Sequence, residues 1–231
     1  MTGIDGIRAP EERGAMSGID DLMAESNDRW ASARRRAQGI ADNGLGEAVK
    51  TYYVFYLPVG FVVLLPIGTI GGMLALGGAL ADWSSYLLFG FFLALLGALI
   101  GGLVYNAKKV RPAAELGRID VLFSLQEHEQ KHVRRQILGK AALDVEHLAV
   151  TRGAAVQLRK NLATQLILAP AFLTAFIPQA VPLLARNPIW WLMALVVCAY
   201  AVSLIFLGRE FRRAGRFLTW TADRASAAKD T

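Results

Sequence analysis

Long stretches without a single charged residue dominate this sequence and restrict what it can fold into. Four of them contain 31, 25, 25 and 22 residues, at positions 51–81, 83–107, 161–185 and 187–208. An α-helix needs about 20 predominantly apolar residues to cross the hydrocarbon core of a bilayer, so each stretch is long enough to span it. The sequence therefore predicts four transmembrane helices.

The positions of the Lys and Arg residues indicate how these helices are threaded. Seven lie in residues 1–50, eleven in 108–160 and six in 209–231, which leaves Arg186 as the only one of the 25 elsewhere. Lys and Arg close to the ends of spans are retained on the cytoplasmic side of a membrane. We therefore expect a multi-pass protein of the cell inner or plasma membrane, with both termini and the middle segment in the cytoplasm.

The expected fold class is an all-α integral membrane protein, with four transmembrane helices arranged as two hairpins. A small helical cytoplasmic domain lies between spans 2 and 3. The composition of the first 50 residues favours disorder, apart from apolar residues that recur at helical spacing. The expected segments are a cytoplasmic, largely disordered tail (1–50) with an amphipathic helix at 19–40, hairpin 1 (51–107), a loop domain (108–160) with helices at 113–138 and from Asp144 onward, hairpin 2 (161–208), and an interfacial helix and tail (209–231).

Glycines and prolines inside the spans suggest how the helices pack. Gly68 with Gly72, and Gly97 with Gly101, are G-x-x-x-G pairs, a spacing that lets two helix backbones approach closely in lipid. We expect them to pack the first span on the second within one chain, and homo-oligomerisation is the alternative use of the same motif. Pro66 and Pro170 lack a backbone donor, so they should bend spans 1 and 3.

Basic side chains next to the spans form the predicted interaction surface. Such clusters bind anionic headgroups of the inner leaflet or an acidic protein partner. Few exposed aromatic residues alternate with them in the loop, which argues against nucleic acid. The residues expected on this surface are Arg34, Arg35, Arg36, Lys108, Lys109, Arg134, Arg135, Arg212 and Arg213.

The segment His128–His132 reads H-E-x-x-H, the pattern in which two histidines one helical turn apart hold zinc. His147 or Glu146 would have to supply a third ligand. However, Lys131 stands beside the second histidine, and the neighbouring side chains are polar on all sides, as on a solvated helix. We therefore expect an ordinary surface helix with no metal or cofactor, and a membrane zinc metalloprotease is the outside alternative.

The spans themselves carry no ionisable side chain, although transport pathways usually contain one. Their notable polar residues are Thr69, Thr164, Gln165, Thr174, Gln179 and Ser203. Phosphate-binding and redox motifs are absent from the sequence, and no Ser/His/Asp arrangement can be assembled. The leading hypothesis is a non-catalytic accessory or scaffold subunit, and the alternative is a small channel or transporter that uses the proline-bent spans 1 and 3.

Overall fold

A computed structural model describes residues 10–78, 83–115, 117, 119–180 and 189–227. Within these residues the chain is helical, apart from two short strands that pair antiparallel. Two of the helical segments are π-helical turns, named here the first and the second π turn. In chain order the elements are α1 (Pro10–Ala37), β1 (Ala41–Asp42), α2 (Leu45–Thr51), the first π turn (Tyr52–Tyr56), α3 (Leu57–Ala75), α4 (Trp83–Tyr105), the second π turn (Asn106–Val110), β2 (Ala114–Glu115), a 3₁₀ helix (Val121–Ser124), α5 (Glu127–Ile137), α6 (Leu148–Ala180) and α7 (Ile189–Ala227).

Three helical segments are long and apolar enough to cross a membrane: Leu45–Ala75, Ser85–Val110 and Ala194–Asp223. They overlap the predicted spans 1, 2 and 4, although the last begins at Ala194 and continues well beyond residue 208. The predicted third span begins inside α6 and ends among residues 181–188, which lie outside the described residues. The described chain is therefore an all-helical protein with three candidate membrane-crossing helices.

Close backbone approach holds α3 against α4. A Cβ atom on Gly68 would lie 2.8 Å from the Cα of Gly90, and one on Gly72 would lie 3.0 Å from the Phe89 ring. On α4, a Cβ on Gly97 would lie 2.0 Å from the Leu64 side chain. A side chain at Gly68 would meet backbone atoms of α4, whereas one at Gly72 or Gly97 would require the Phe89 or Leu64 side chain to move. Glycines at such contacts are typical of close helix pairs in lipid.

Gly101 does not take part in this contact, although the sequence predicts it. No atom of α3 or of any other packed element lies within 4 Å of the place where its Cβ would be. The spacing of four residues locates one face of a helix but does not say how far along that face the neighbouring helix stays in contact. Gly101 instead borders a cavity between the two helices.

Pro170 lies within α6, and its missing N–H leaves the carbonyl of Leu166 without its usual helical partner. The hydroxyl of Tyr53, in the first π turn, donates a hydrogen bond to that carbonyl at 2.6 Å. The proline is thus tolerated because a neighbouring helix supplies the donor that it lacks. Pro66 lies within α3, and helical structure continues through both prolines.

The start of α6 and the end of α7 carry charged residues. These two helix ends form one compact unit with α1, α2, α5 and the strands. We name it the polar domain (residues 10–50, 106–160 and 209–227). Its largest fully buried side chains include Leu45, Val121, Val133 and Val150, and the same core continues into the apolar part of α6 as far as Ile167. Three separate parts of the chain therefore share one hydrophobic core, whereas the sequence alone divides them into separate segments.

The prediction of a largely disordered tail is wrong over α1. This helix covers Pro10–Ala37 rather than 19–40, and its residues Ala33 and Ala37 are buried. It packs against α6, where a Cβ on Gly153 would lie 2.9 Å from the Cβ of Ala37. Small residues at this crossing let the helices approach closely, so the C-terminal part of α1 packs in the core, whereas Leu22 and Met23 nearer its start stay exposed.

The loop between the second and third predicted spans also differs from its expected form. The predicted helix at 113–138 is replaced by β2, the 3₁₀ helix and the shorter α5. Asp120 caps the 3₁₀ helix by accepting a hydrogen bond from the Leu122 N–H at 2.9 Å. In α7 the residues expected at the lipid interface enter the core instead, since Phe211 and Phe217 are buried.

Candidate docking site on the polar domain

One arginine of α6 contacts α7, α2 and β1 in the polar domain. Arg159, on α6, forms an ion pair with Asp42, and its guanidinium carbon lies 4.7 Å from the centre of the Phe211 ring on α7. A Cβ atom on Gly215 would lie 2.9 Å from this guanidinium, and one on Gly46 would lie 2.8 Å from it. Both glycines are thus needed at these positions because the arginine passes between α2 and α7.

Asp42 has a second role beside this ion pair. One of its carboxylate oxygens accepts hydrogen bonds from the N–H groups of Gly44 at 3.1 Å and Leu45 at 2.9 Å, at the start of α2. The side chains of Asp42 and Arg159 are only 11% and 17% exposed. A pair removed this far from water stays favourable only when further hydrogen bonds satisfy it, and the start of α2 provides two of them.

Between α5 and α7 lies an open groove with a volume of about 610 Å³. One wall is the end of α5 with the turn that follows it, and the other is the polar part of α7. We name it the basic groove. The residues that define its chemistry are Gln136, Lys140, Arg213, Arg216, Phe217 and Trp220.

The basic groove carries positive charge beside aromatic surface. Lys140, Arg213 and Arg216 are exposed, and Trp220 is 43% exposed. None of the ion pairs found among the described residues involves these three cations. Arg and Trp are the side chains that most often dominate the binding energy of protein interfaces.

The floor of the basic groove is held rigidly by Gln136, which is 4% exposed. Its Oε1 accepts a hydrogen bond from the hydroxyl of Thr151 at 3.3 Å, and its Nε2 lies 2.9 Å from Nε2 of His132. The first contact joins α5 to α6, which in turn packs on α7. The two walls of the groove are therefore connected through the core and keep a defined separation.

The α7 residues of the basic groove follow the charge-free stretch of that helix. Arg213, Arg216 and Trp220 lie five, eight and twelve residues after Gly208, the last residue of the charge-free stretch. At 1.5 Å per residue they are about 8, 12 and 18 Å past that boundary. The headgroup region adds only about 5–8 Å on each side of the hydrocarbon core, so a hydrocarbon boundary at Gly208 would place Arg213 at the edge of the headgroups and Arg216 and Trp220 beyond them.

The nine basic residues predicted from the sequence are distributed over several surfaces. Lys108 and Lys109 are exposed in the second π turn, directly at the end of a charge-free stretch. Arg213 lines the basic groove, and Arg134 lines a different cavity between α5 and α6. Arg135 and Arg212 are exposed on α5 and α7 without lining the basic groove.

The arginines at the end of α1 serve mainly local contacts. Arg34 donates to the backbone carbonyl of Glu146 at 3.0 Å, and Arg35 donates to the Ser32 hydroxyl at 3.0 Å. The Arg36 side chain is half-buried, with its guanidinium 5.6 Å from the centre of the Phe123 ring. The contacts of Arg34 and Arg36 help to hold α1 on the polar domain.

Sequence reasoning did not identify Lys140, Arg216 and Gln136 as parts of one site. Of the basic residues on α7, only Arg212 and Arg213 were predicted from the sequence to lie on an interaction surface, and Arg213 lines the groove. Lys140 and Arg216 are far apart in sequence, and no local pattern connects them.

The H-E-x-x-H segment folds with its glutamate inward and its histidines outward. Glu129 is 8% exposed, and one of its oxygens accepts a hydrogen bond from the Gln126 N–H at 2.7 Å in a capping box. Its other oxygen lies 3.6 Å from Nη2 of Arg29. His128 and His132 are both exposed. The described residues contain no group of three His, Cys, Asp or Glu side chains that could hold a metal ion.

His147, the suggested third ligand, is used in the loop before α6. Its ring centre lies 3.9 Å from that of Trp30, and its Nδ1 lies 2.7 Å from an Asp144 oxygen. Partial burial alone would raise the pKa of Asp144. The hydrogen bonds from His147 and from the Glu146 N–H outweigh it and hold this pKa below its ordinary value. Asp144 therefore stabilises the loop as a carboxylate.

The fold and the groove together define an all-helical protein with three candidate membrane-crossing helices and a basic groove on its polar domain. No protein-family model, curated protein or solved structure matches the chain. Its function is therefore inferred from its own residues and their geometry.

Proposed function

We propose that this chain is a non-catalytic, four-span membrane scaffold, and that its basic groove binds an acidic segment of a cytoplasmic partner protein. The observation that carries the proposal is the set of three exposed cations, without carboxylate partners among the described residues, beside the half-exposed ring of Trp220. Electrostatic complementarity of this kind increases association rates and selects acidic partners. Anionic lipid is the weaker occupant because the groove extends about 18 Å past the apolar boundary.

The shared core of the polar domain supports four crossings rather than three. The start of α6 and the end of α7 both pack in this domain, so they lie on the same side of the membrane. In the proposed threading, the charge-free residues 161–208 between them leave that side and return to it. Residues 51–107 do the same, which corresponds to two hairpins. The concentration of Lys and Arg in the polar domain favours the cytoplasmic side.

Single cysteines introduced after changing the native Cys198 to Ser test this threading. Ser84→Cys and Asn187→Cys should react with a membrane-impermeant maleimide on intact cells. Ser84 lies next to the predicted outer turn around Asp82, and Asn187 lies in the predicted outer turn between the third and fourth spans. Ser124→Cys and Ser226→Cys should react only after the cells are permeabilised. Labelling of Ser124→Cys in intact cells would contradict the proposed orientation.

The docking proposal is tested by reversing charge in the basic groove. When the native chain is purified from native membranes at low salt, a partner protein should co-purify in stoichiometric amount. The double variant Arg213→Glu with Arg216→Glu should co-purify with at least about tenfold less of that partner. Retention by the native chain should also fall as salt is raised, since screening weakens exposed charge contacts. Crosslinks from the native complex should contain peptides from α5 and α7.

A matched control separates loss of the site from loss of charge. The variant Arg35→Glu with Arg111→Glu makes the same change in net charge at exposed positions outside the groove. It should retain the partner at the native level. Equal loss in both double variants would show that the groove is not the docking site. The thermal midpoint in detergent establishes that each variant is folded.

The hydrogen bonds of polar side chains in the apolar helices favour a scaffold over a transporter. Thr69, Thr174 and Ser203 each donate to a carbonyl four residues earlier in their own helix, at 2.8, 2.7 and 2.8 Å. Thr164 donates to the side chain of Asn106 at 3.0 Å. Gln165 is exposed on α6. Replacing Gln165 and Gln179 by Leu should leave folding intact, and a specific loss of flux in reconstituted vesicles would favour transport instead.

A further inference from the structure

A second cavity lies among the apolar helices, between the first π turn, α3 and α4. Its volume is about 170 Å³. We name it the tyrosine cavity. The residues on which its chemistry depends are Tyr52, Tyr56, Tyr105, Gly60, Gly97 and Gly101.

The hydroxyl of Tyr52 is the unusual group in this cavity. Its residue is 3% exposed, and its oxygen would lie 3.4 Å from a Cβ on Gly102, another lining residue. Two neighbouring hydroxyls are satisfied within the chain, because Tyr53 donates to the Leu166 carbonyl and Tyr105 donates to the Ala48 carbonyl at 2.8 Å. Tyr56 also lines the cavity, but its side chain is 48% exposed. Tyr52 makes ring contacts with Tyr53 and Tyr105, and its hydroxyl, which is accessible rather than fully enclosed, makes no hydrogen bond with any described residue.

A hydroxyl without a hydrogen-bond partner is costly in an apolar environment. A ligand that accepts a hydrogen bond from this hydroxyl would therefore bind more favourably in the cavity. The depth of Tyr52 identifies the acceptor. Tyr52 is the second residue after Lys50, the last charge before the first apolar stretch, and ester carbonyls of phospholipids lie just inside the charged headgroups. The exposed Lys108 and Lys109, which follow Tyr105 by one helical turn, supply positive charge at the level of a lipid phosphate.

The rest of the cavity matches a hydrocarbon chain. Gly60 lies eight residues after Tyr52, so the cavity extends about 12 Å into the apolar layer. A cavity of about 150 Å³ with an apolar lining binds benzene, so this one has room for about six carbons of an acyl chain. It opens toward lipid beside Tyr56, which is 48% exposed, and Gly101, which is also exposed.

We infer that the tyrosine cavity holds one acyl chain of an anionic diacyl phospholipid from the inner leaflet, with an ester carbonyl accepting a hydrogen bond from the Tyr52 hydroxyl. The inference rests on the proposed insertion and orientation of the chain, but not on the basic groove. Its test leaves every groove residue unchanged, so failure of one proposal is distinguishable from failure of the other.

Two variants fill the cavity or remove its donor without creating a clash. A Cβ atom at Gly60 or Gly101 would meet nothing within 4 Å, so Gly60→Leu with Gly101→Leu places side chains in open space. Tyr52→Phe removes only the unpaired hydroxyl. Gly71→Leu is the matched control, because Gly71 is equally open but does not line the cavity.

Native mass spectrometry of the full chain, released from nanodiscs of phosphatidylglycerol and phosphatidylcholine, counts the retained lipids. The native chain and Gly71→Leu should each retain one phosphatidylglycerol, and the double leucine variant should retain at least about tenfold less. Tyr52→Phe should weaken retention about three- to tenfold, as expected for one hydrogen bond. Equal retention by all four chains, or a second copy of the chain in place of the lipid, would overturn the inference.

An ether-linked phosphatidylglycerol tests the hydrogen bond itself, since it has the same headgroup and chains but no ester carbonyl. The native chain should hold it as weakly as Tyr52→Phe holds the ester lipid, and Tyr52→Phe should not distinguish the two lipids. The same preference for the ester in both chains would show that Tyr52 is not the donor. A thermal midpoint for each variant within a few degrees of the native value establishes that differences in retention do not reflect unfolding.

Discussion

The α3–α4 hairpin and the polar domain are parts of one chain that are held together by different interactions. In α3 no residue is buried, and its contact with α4 depends on glycines that allow backbones to touch. The polar domain instead has a continuous core of buried side chains, crossed by the ion pair of Arg159 with Asp42.

The surrounding solvent explains this difference. In water, burial of apolar side chains provides about 25 cal/mol for each Å² removed from solvent, so a domain there is stabilised by a core. In lipid, no such force brings two helices together, because the chains of the lipid are as apolar as leucine. Close van der Waals contact between backbones takes its place. We therefore expect the two regions to respond differently to substitution.

The largest effect should follow from breaking the buried ion pair in the polar domain. Arg159→Met leaves Asp42 without its partner, and removing one member of a buried pair costs about 3–5 kcal/mol. The side chains of Asp42 and Arg159 are still 11% and 17% exposed to solvent, so we expect a cost at the lower end of that range. The double variant Arg159→Met with Asp42→Asn should recover part of the loss, measured by unfolding in detergent. Lys131→Met, which breaks an exposed pair with Glu127, should cost less than about 1 kcal/mol.

The next largest effect should come from the hairpin, where Gly90 has no room for a side chain. A Cβ there would lie 2.5 Å from the Leu65 carbonyl oxygen and 2.3 Å from the Thr69 hydroxyl. Gly90→Leu should destabilise the hairpin by about 1–3 kcal/mol, the usual range for overpacking. Gly71→Leu on the lipid-facing side of α3 should leave the thermal midpoint nearly unchanged. Similar midpoints for both variants would contradict the packing of α3 on α4.

A smaller effect is expected at the start of α5. Glu129→Ala removes the capping-box carboxylate and should cost about 0.5–2 kcal/mol. His128→Ala, at an exposed position on the same helix, should stay within about 0.5 kcal/mol of the native chain. Glu129→Gln should recover only part of this loss, because Gln completes the capping box but removes the charge that faces Arg29 at 3.6 Å.

The zinc content of the purified protein tests whether the His128–His132 segment binds a metal ion. Purified protein should contain far less than one zinc per chain by elemental analysis. Zinc present at one per chain and lost in the double variant His128→Ala with His132→Ala would instead support a metalloprotease.

The smallest effect should be the pH-dependent contribution of Asp144. The pKa of this carboxyl is lowered in the folded chain from its ordinary value of 3.8. The Asp144 carboxylate therefore contributes its full stabilisation of the folded chain above the ordinary pKa. This contribution is lost as pH falls through the lower pKa of the folded state. The difference in thermal midpoint between the native chain and Asp144→Asn should shrink between pH 5 and strongly acidic pH. A difference that stays constant with pH would show that Asp144 acts only through its shape.

Charge-free length alone was enough to predict three of the helices that can cross a membrane, because hydropathy is a property of consecutive residues. Local spacing likewise predicted that Gly68, Gly72 and Gly97 lie at helix contacts. It was wrong for Gly101, since the reach of the partner helix depends on how the two helices cross. The sequence also indicated that basic residues of α7 lie on a polar surface, but not which of them share a site.

Only the tertiary structure decided how the polar segments combine. Asp42 and Arg159 are 117 residues apart, and Tyr53 reaches a carbonyl 113 residues away that Pro170 leaves free. Neither contact has a sequence period or motif. The same holds for α1, whose composition favours disorder although its C-terminal end, with Ala37, packs against α6. The sequence by itself determined which segments avoid water, because that preference belongs to each segment alone. The groove and the tyrosine cavity depend on which segments meet, and that is decided by the packing of the whole chain.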